Sequence, residues 1–341
     1  MSNPNDQYPS MKKSQKRALV TGGAGFIGSH LCEELLKRGF FVSAVDNLAT
    51  GSAANVKHLL NDKKNFKFYK GSVMNRPLLE RLVKSCDIIY HLAAAVGVKY
   101  ILDNPIQSIL TNVEGTENVL SLANEYHKKV LIASSSEIYG KQSSKVISEE
   151  DNRILGPTSV PRWSYADAKA VDEFLAFAYA IEKKLKFIIL RFFNVVGPRQ
   201  VGNYGMVIPR FIQEALSGKP ITVYGDGSQV RTFTFINDAV RAVADLSLCD
   251  QAYGKAFNIG GSESVSIKQL AHRIKRKTNS KSKIVYLPYQ KFYGDHFEDV
   301  KFRVPDLARI RKTIGYRPHY PLNRTIEETI KYFRKKMEGG T

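Results

Sequence analysis

The apolar run Ala18-Leu19-Val20 leads directly into Thr21-Gly22-Gly23-Ala24-Gly25-Phe26-Ile27-Gly28, and an amphipathic stretch continues from Ile27 to about Arg38. A buried strand, a glycine turn and a helix in that order leave a chain few folds to choose from. The spacing Gly22-x-x-Gly25-x-x-Gly28 lets the backbone turn tightly and present N–H groups to a pyrophosphate at the helix N-terminus. A glycine-rich turn alone is often only a turn; its place between strand and helix marks it as a dinucleotide site. The next apolar run, Phe41 to Val45, closes on Asp46. A carboxylate there accepts hydrogen bonds from the adenosine ribose hydroxyls and repels a 2′-phosphate, which selects NAD over NADP. The plainer alternative is a strand-end Asp in a turn.

The same rhythm continues downstream. Phe66–Tyr69, Asp87–Leu92, Val130–Ala133 and Phe187–Arg191 read as buried strands, with helices from near Pro77 and from about Ile106 to His127 among them. Runs rich in Val, Ile and Leu that do not alternate with polar residues are strands covered on both faces, so the sheet is parallel. The expected fold is α/β, a Rossmann-type doubly wound parallel sheet. After about Gly197 the rhythm breaks, and Pro198, Gly202, Gly205, Pro209, Gly218, Pro220, Gly225 and Gly227 punctuate shorter elements. The expected division begins with a polar, disordered lead-in over 1–16 and an NAD-binding unit carrying the catalytic pair over 17–197. A smaller, discontinuous substrate lobe over 198–338 packs over the carboxyl ends of the strands and returns some segments to the first unit.

Composition narrows the remaining classes. With 43% hydrophobic and 24% charged residues among 341, and no apolar run of membrane-spanning length, nothing reads as a membrane span or a signal peptide. Cys32, Cys86 and Cys249 lie far apart in apolar or helical contexts and fit neither a disulfide framework nor a zinc site, which points to a reducing cytoplasm. No His, Asp and Cys cluster has ligand spacing, so no metal is expected, and His30, His58 and His91 read as structural or solvated. The formal net charge of +19 raises the question of a nucleic-acid partner. Its densest group, Lys268, Arg273, Lys275, Arg276, Lys277, Lys281 and Lys283, flanks an apolar stripe of Ile267, Leu270, Ala271 and Ile274, the pattern of a solvated helix face. No nucleic acid is expected, while a basic surface still attracts an anionic diphosphate substrate.

Tyr165-Ala166-Asp167-Ala168-Lys169 sets a phenol and an ammonium one helical turn apart on one face. A tyrosine titrates near about 10, too high for a base at neutral pH; a close Lys⁺, aided by a positive nicotinamide ring, favours the phenolate. By itself the spacing recurs by chance in many helices, but downstream of a dinucleotide turn it is the leading catalytic candidate. Ser134-Ser135-Ser136-Glu137 follows a buried strand, at the end where α/β sites form. The Ser135 hydroxyl can bind a substrate alcohol as it becomes a ketone, and Glu137 can move a proton at a neighbouring carbon. The alternative for Glu137 is a loop carboxylate in a cap-like contact. Lys99 and Tyr100, after Leu92-Ala93-Ala94-Ala95, are within reach of a sugar, where a cation suits a uronate carboxylate; otherwise such a Lys is simply solvated.

From Arg17 onward these segments resemble the extended short-chain dehydrogenase/reductase family that acts on nucleoside-diphosphate sugars. Besides the glycine turn, the Ser-Ser-Glu segment and the Tyr165/Lys169 pair, Arg191-Phe192-Phe193-Asn194, Gly197-Pro198-Arg199 and Val223-Tyr224-Gly225-Asp226-Gly227 through Arg231 carry the likeness. The resemblance implies NAD as cofactor, held by Gly22, Gly25, Phe26, Ile27, Gly28, Asp46 and Asn47, by Val73, and by Leu92, Ala93 and Ala94. Asn112, Ser134, Tyr165 and Lys169 complete that set. Where the family often has an adenine-contacting Asp after the third strand, Gly71-Ser72-Val73 offers Ser72 instead. The resemblance also implies a UDP-linked sugar held by Ser136, Asn194, Val207, Arg210 and Tyr224, with Gln229 near the nucleoside and Arg231 and Arg303 at the diphosphate. A homodimer built on the helices carrying Asn112 and Tyr165 is implied too, as is a place in polysaccharide biosynthesis.

Members of this family open alike, with Tyr165 removing the 4-hydroxyl proton as C4 gives hydride to NAD⁺. Epimerases then re-present the other face of the ketone, dehydratases expel water across C5–C6, and decarboxylases release carbon dioxide from a uronate whose carboxylate is β to the ketone. Many 4,6-dehydratases set an Asp before the Glu; here Ser136 precedes Glu137, similar to the UDP-glucuronate decarboxylases, although GDP-mannose dehydratases share Ser-Glu. Gly156-Pro157 and Pro161-Arg162-Trp163-Ser164-Tyr165 resemble the decarboxylases' approach to the tyrosine. Tyr293-Gly294, Asp299-Val300 and Phe302-Arg303-Val304-Pro305 resemble their C-terminal segment, which makes Arg303 a candidate for the chemistry. A tail of this style is also similar to UDP-glucose 4-epimerases, and an arginine there more commonly binds phosphate. The expected activity is UDP-glucuronate decarboxylation to a UDP-xylose-type product, with UDP-sugar 4-epimerase and then 4,6-dehydratase as alternatives. A catalytically silent NAD-binding regulator is the rival from another class, and the intact Ser135, Tyr165 and Lys169 argue against it.

Overall fold

The structure, a computed structural model, describes residues 15–97, 103–201, 206–289 and 300–339. Strands β1 (Arg17–Thr21), β2 (Phe41–Asp46), β3 (Phe66–Lys70), β4 (Ile88–His91), β5 (Lys129–Ser135), β6 (Phe187–Phe192) and β7 (Lys255–Ile259) form one sheet in the order β7-β6-β5-β4-β1-β2-β3. Every neighbouring pair is parallel. In chain order the helices are α1 (Phe26–Lys37), α2 (Arg76–Lys84), α3 (Pro105–Glu125), α4 (Trp163–Lys183), α5 (Val207–Leu216), α6 (Ile236–Leu248), α7 (Ile267–Thr278), α8 (Ala308–Ile314) and α9 (Leu322–Met337).

Because successive side chains of a strand point to opposite faces, β1 serves two cores at once. Ala18 and Val20 join the layer with Leu31 and Leu35 of α1 and Ala239 and Val243 of α6. Leu19 joins the opposite layer with Leu79 of α2, Val119 of α3 and Ala176 of α4. The unbroken apolar strands of the sequence are thus covered on both sides. Local chemistry sets the helix ends: Asn75 accepts from the Leu78 amide at 3.2 Å and starts α2, with Pro77 in its first turn. The helix expected to reach His127 stops at Glu125, and His127 takes a left-handed φ of 51° as the chain turns into β5.

The strand order reverses between β1 and β4, opening a crevice at their carboxyl ends. After β6 the chain leaves this sheet to build α5 and a three-stranded sheet of Ser264–Ser266, Val230–Thr232 and Phe302–Arg303. Ile221–Tyr224 pairs with Ile284–Leu287, and α5, α7 and α9 close a third core around Phe211, Ile274 and Phe333. Between these pieces α6, β7 and α8 return to the main sheet. The strand β7 was not among those singled out in the sequence, because Lys255-Ala256-Phe257-Asn258-Ile259 interrupts its apolar run with Asn258.

Candidate active site

The glycine turn occupies the crevice. Gly22 adopts φ +69°, and a Cβ there would lie 2.8 Å from the Ala93 amide nitrogen; at Gly28 a Cβ would lie 2.1 Å from the Gly22 carbonyl oxygen. The backbone is therefore packed too closely for any side chain at either position. Gly25 caps α1 without a side-chain hydrogen bond, and the first turn carries no acidic residue. The amides around Phe26 and Ile27 are thus left to an outside anion, which fits a dinucleotide pyrophosphate. At the end of β2, Asp46 accepts from the Ala24 amide at 3.0 Å and the Leu48 amide at 2.7 Å. Its neighbour Asn47 accepts from Ala49.

Several residues expected at the cofactor use their polar atoms on the protein itself. Asn112 exchanges two hydrogen bonds with the Ala95 backbone, at 2.8 and 3.3 Å, and so fixes the loop that begins with Leu92, Ala93 and Ala94. Ser134 donates to Glu173 at 2.5 Å, and the Ser72 hydroxyl accepts from Met74 in a local turn, with Val73 buried beside it. These placements build the walls of the crevice.

A cavity of about 370 Å³ lies between the carboxyl ends of β5 and β6 and the second lobe. Ser135, Glu137 and Tyr165 line it together with Ser136, Asn194, Val207, Arg210, Tyr224, Gln229, Arg231 and Arg303, residues drawn from widely separated parts of the chain. Lys99 lies outside the described residues, as do Tyr100, Tyr293, Gly294 and Asp299. Asn194 holds a positive φ of 40° and donates to the Thr232 carbonyl, tying the sheet to the lobe. At the far end Arg210 lies over the Tyr224 ring at 4.6 Å, and Gln229 Nε2 donates to the Tyr289 hydroxyl.

The cavity's charge is organised around Glu137. Arg303 Nη1 donates to one carboxylate oxygen at 2.6 Å, and Arg162 Nη2 approaches the other at 3.4 Å. Burial alone would raise this carboxyl, but the charges of Arg303, Arg162 and Arg231 outweigh it and hold Glu137 at about 2. Glu137 is therefore a fixed anion at neutral pH.

Tyr165 and Lys169 share one face of α4, with Lys169 buried and Tyr165 half-buried at the cavity next to Ser135. Burial raises the Tyr165 phenol above its ordinary value, and Lys169 and the Ser135 hydroxyl oppose this while Glu137 and Asp172 add to it. The expected help from Lys169 is thus present in sign, and burial outweighs it. Sequence reasoning also missed three contributors: Arg162, Asp172 and Tyr289. Arg162 stood in the quoted Pro-Arg-Trp segment three residues before Tyr165; nothing local marked the other two. Among the described residues, no group of three His, Cys, Asp or Glu is placed to hold a metal, and no helix is long and apolar enough to cross a membrane.

The family described as GDP-mannose 4,6 dehydratase matches residues 19–329. The chain is 42% identical to the UDP-N-acetyl-alpha-D-glucosaminuronate decarboxylase of Bacillus cytotoxicus, covering 94% of this chain and 98% of that one. It is 36% identical to UDP-glucuronic acid decarboxylase 1 of Xenopus tropicalis, covering 97% of this chain and 76% of that one. The crystal structure of UDP-glucuronic acid 4-epimerase from Bacillus cereus, in complex with UDP-glucuronic acid and NAD, superposes with a TM-score of 0.84 at 28% identity, over 94% of this chain and 99% of that one.

Proposed function

Since the chain belongs to the GDP-mannose 4,6 dehydratase family, within the extended short-chain dehydrogenases/reductases, we propose that it is an NAD-dependent enzyme that decarboxylates a UDP-linked hexuronic acid through a 4-keto intermediate. The observation that carries this reading is the clamp on Glu137. Arg303 and Arg162 both converge on Glu137, which sets two guanidinium groups beside Ser135 and Tyr165. Arg210 and Arg231 also line the cavity, as cations for the diphosphate. Guanidinium groups at the reacting end suit a substrate carboxylate, a group that a neutral hexose lacks. Likeness to two decarboxylases of UDP-uronates supports the same choice.

Bound NAD⁺ supplies a hydride acceptor for C4 and returns that hydride later. Ser135 holds the C4 oxygen while Tyr165 takes its proton and Lys169 stabilises the phenolate. In the 4-keto uronate the C5–C6 bond breaks, its electron pair passes into the enolate and carbon dioxide leaves. Arg303 and Arg162 stabilise the negative charge that moves from the carboxylate to the enolate, and Glu137 keeps both guanidiniums in place. A proton from water adds at C5, and Tyr165 returns its proton to the C4 oxygen as the ketone is reduced, giving a UDP-pentose for polysaccharide synthesis.

Two further readings belong here. Ile106 on α3 and Phe174 and Ile181 on α4 are 75%, 63% and 73% exposed on neighbouring helices, an apolar face we assign to a homodimer. Cys32 and Cys86 are buried free thiols, which fits the cytoplasm. The test of the activity is mass spectrometry of the enzyme incubated with NAD⁺ and, in parallel, UDP-glucuronate and UDP-N-acetylglucosaminuronate. Loss of the mass of carbon dioxide from either is expected. An unchanged mass with a new isomer would replace decarboxylation by 4-epimerisation, the reading favoured by the likeness to the Bacillus cereus epimerase.

A further inference from the structure

Behind the catalytic pair lies a second carboxylate that the reaction does not touch. Lys169 Nζ donates to Asp172 Oδ2 at 2.9 Å, one turn further along α4, with side chains 2% and 0% exposed. The other oxygen, Oδ1, accepts no hydrogen bond among the described residues. Asp172 is backed by Thr116 of α3, whose hydroxyl favours the ionised carboxyl. Thr116 in turn meets His91 Nε2 at 3.1 Å, and His91 Nδ1 meets the Thr21 hydroxyl at 2.8 Å. Thr21 closes the series at the glycine turn by accepting from the Ala93 amide. A continuous buried polar seam therefore runs from the catalytic helix to the floor of the cofactor crevice.

We propose that Asp172 is a positioning residue for the catalytic pair: its buried ion pair fixes the Lys169 ammonium beneath Tyr165 and, by neutralising part of that charge, sets the pH at which Tyr165 can act as a base. Two carboxylates on the same helix divide the work. Glu173 is bound to Arg191 through both oxygens and to Ser134, so its charge is committed to the sheet. Asp172 has no arginine partner among the described residues, and its ion pair is with Lys169. The remaining groups around the pair are His91 on β4, which burial and Lys169 hold neutral with a value of about 3, and Glu137 in the turn after β5, which Arg303 and Arg162 neutralise. With the Asp172 charge removed, the Glu173 field still reaches Lys169 and favours its ammonium form, and the Lys169 field acts more fully on Tyr165.

This inference rests on Tyr165 being the base that opens the reaction, and not on decarboxylation. The experiment is an ultraviolet difference titration of the NAD-loaded protein against its Tyr165→Phe variant, which reads the pH at which this one phenol ionises. The same difference is then measured in an Asp172→Asn background. The midpoint is expected to fall by about one pH unit, a tenfold change in proton affinity, and Asp172→Glu is expected to keep the wild-type midpoint. The acidic limb of kcat/KM, with whichever UDP-sugar turns over, should move the same way. A midpoint unchanged or raised in folded, NAD-binding Asp172→Asn would overturn the proposal and leave Asp172 a packing group. Should Asp172→Asn fail to fold, Asp172→Ser, which admits a water, carries the same expectation and the same refutation. A chain that turns out to be an epimerase would still give the titration, so the two failures are distinguishable.

Discussion

His91 shows how a single residue couples the crevice to stability. Its ring is buried between Thr21 and Thr116, and burial together with the Lys169 charge lowers it from 6.5 to about 3. A group with a depressed folded value contributes stability that is intact above the unfolded value and is lost as pH falls toward the folded one. Here that window runs from 6.5 down to about 3. At pH 5 the loss from this one ring is about 2 kcal/mol relative to neutral pH. We expect urea unfolding of His91→Gln to show a correspondingly weaker loss between pH 7 and pH 5 than the wild type shows; His30, also buried and lowered to about 4, remains in both. Equal pH dependence in the two proteins would mean that His91 binds its proton in the fold as readily as in the unfolded chain. The sequence shows His91 only as a histidine at the end of an apolar run, and its partners come from elements 25 and 70 residues away.

At the scale of the element, the glycine turn with α1 was legible in full, because its logic is local. Strand, turn and helix are adjacent in sequence, and the spacing of three glycines reports a backbone that must pass within contact distance of itself. Gly28→Ala would press a methyl against the Gly22 carbonyl oxygen, and both lie in backbone that cannot retreat. We expect that variant to bind NAD at least about tenfold more weakly by calorimetric titration, about 1.4 kcal/mol, with its fold retained. Undiminished affinity would show that the turn relaxes. The helix α4 was legible for the same reason in Tyr165 and Lys169, one turn apart on one face. Asp172 sits at an equally regular spacing, but a carboxylate near a lysine on a helix is commonplace at the surface. Only its complete burial distinguishes it.

For the whole molecule, the exposed apolar face of α3 and α4 is the feature that a monomer leaves unexplained. Phe174→Glu combined with Ile181→Glu places two charges on that face without touching the cavity. Sedimentation should then report half the mass of the wild type; an unchanged mass would move the dimer contact elsewhere or show the wild type to be monomeric. The chain's own sequence determined the parallel sheet, the dinucleotide turn and the Tyr-Lys pair, since each is written in the periodicity and stereochemistry of neighbouring residues. Tertiary structure alone decided the rest. Arg303 reaches Glu137 from 166 positions away, and it does so because its strand, Phe302–Arg303, pairs with Val230–Thr232 in the lobe's sheet. That meeting holds Glu137 ionised, since a carboxyl's proton affinity is set by the charges packed around it and not by its neighbours in sequence.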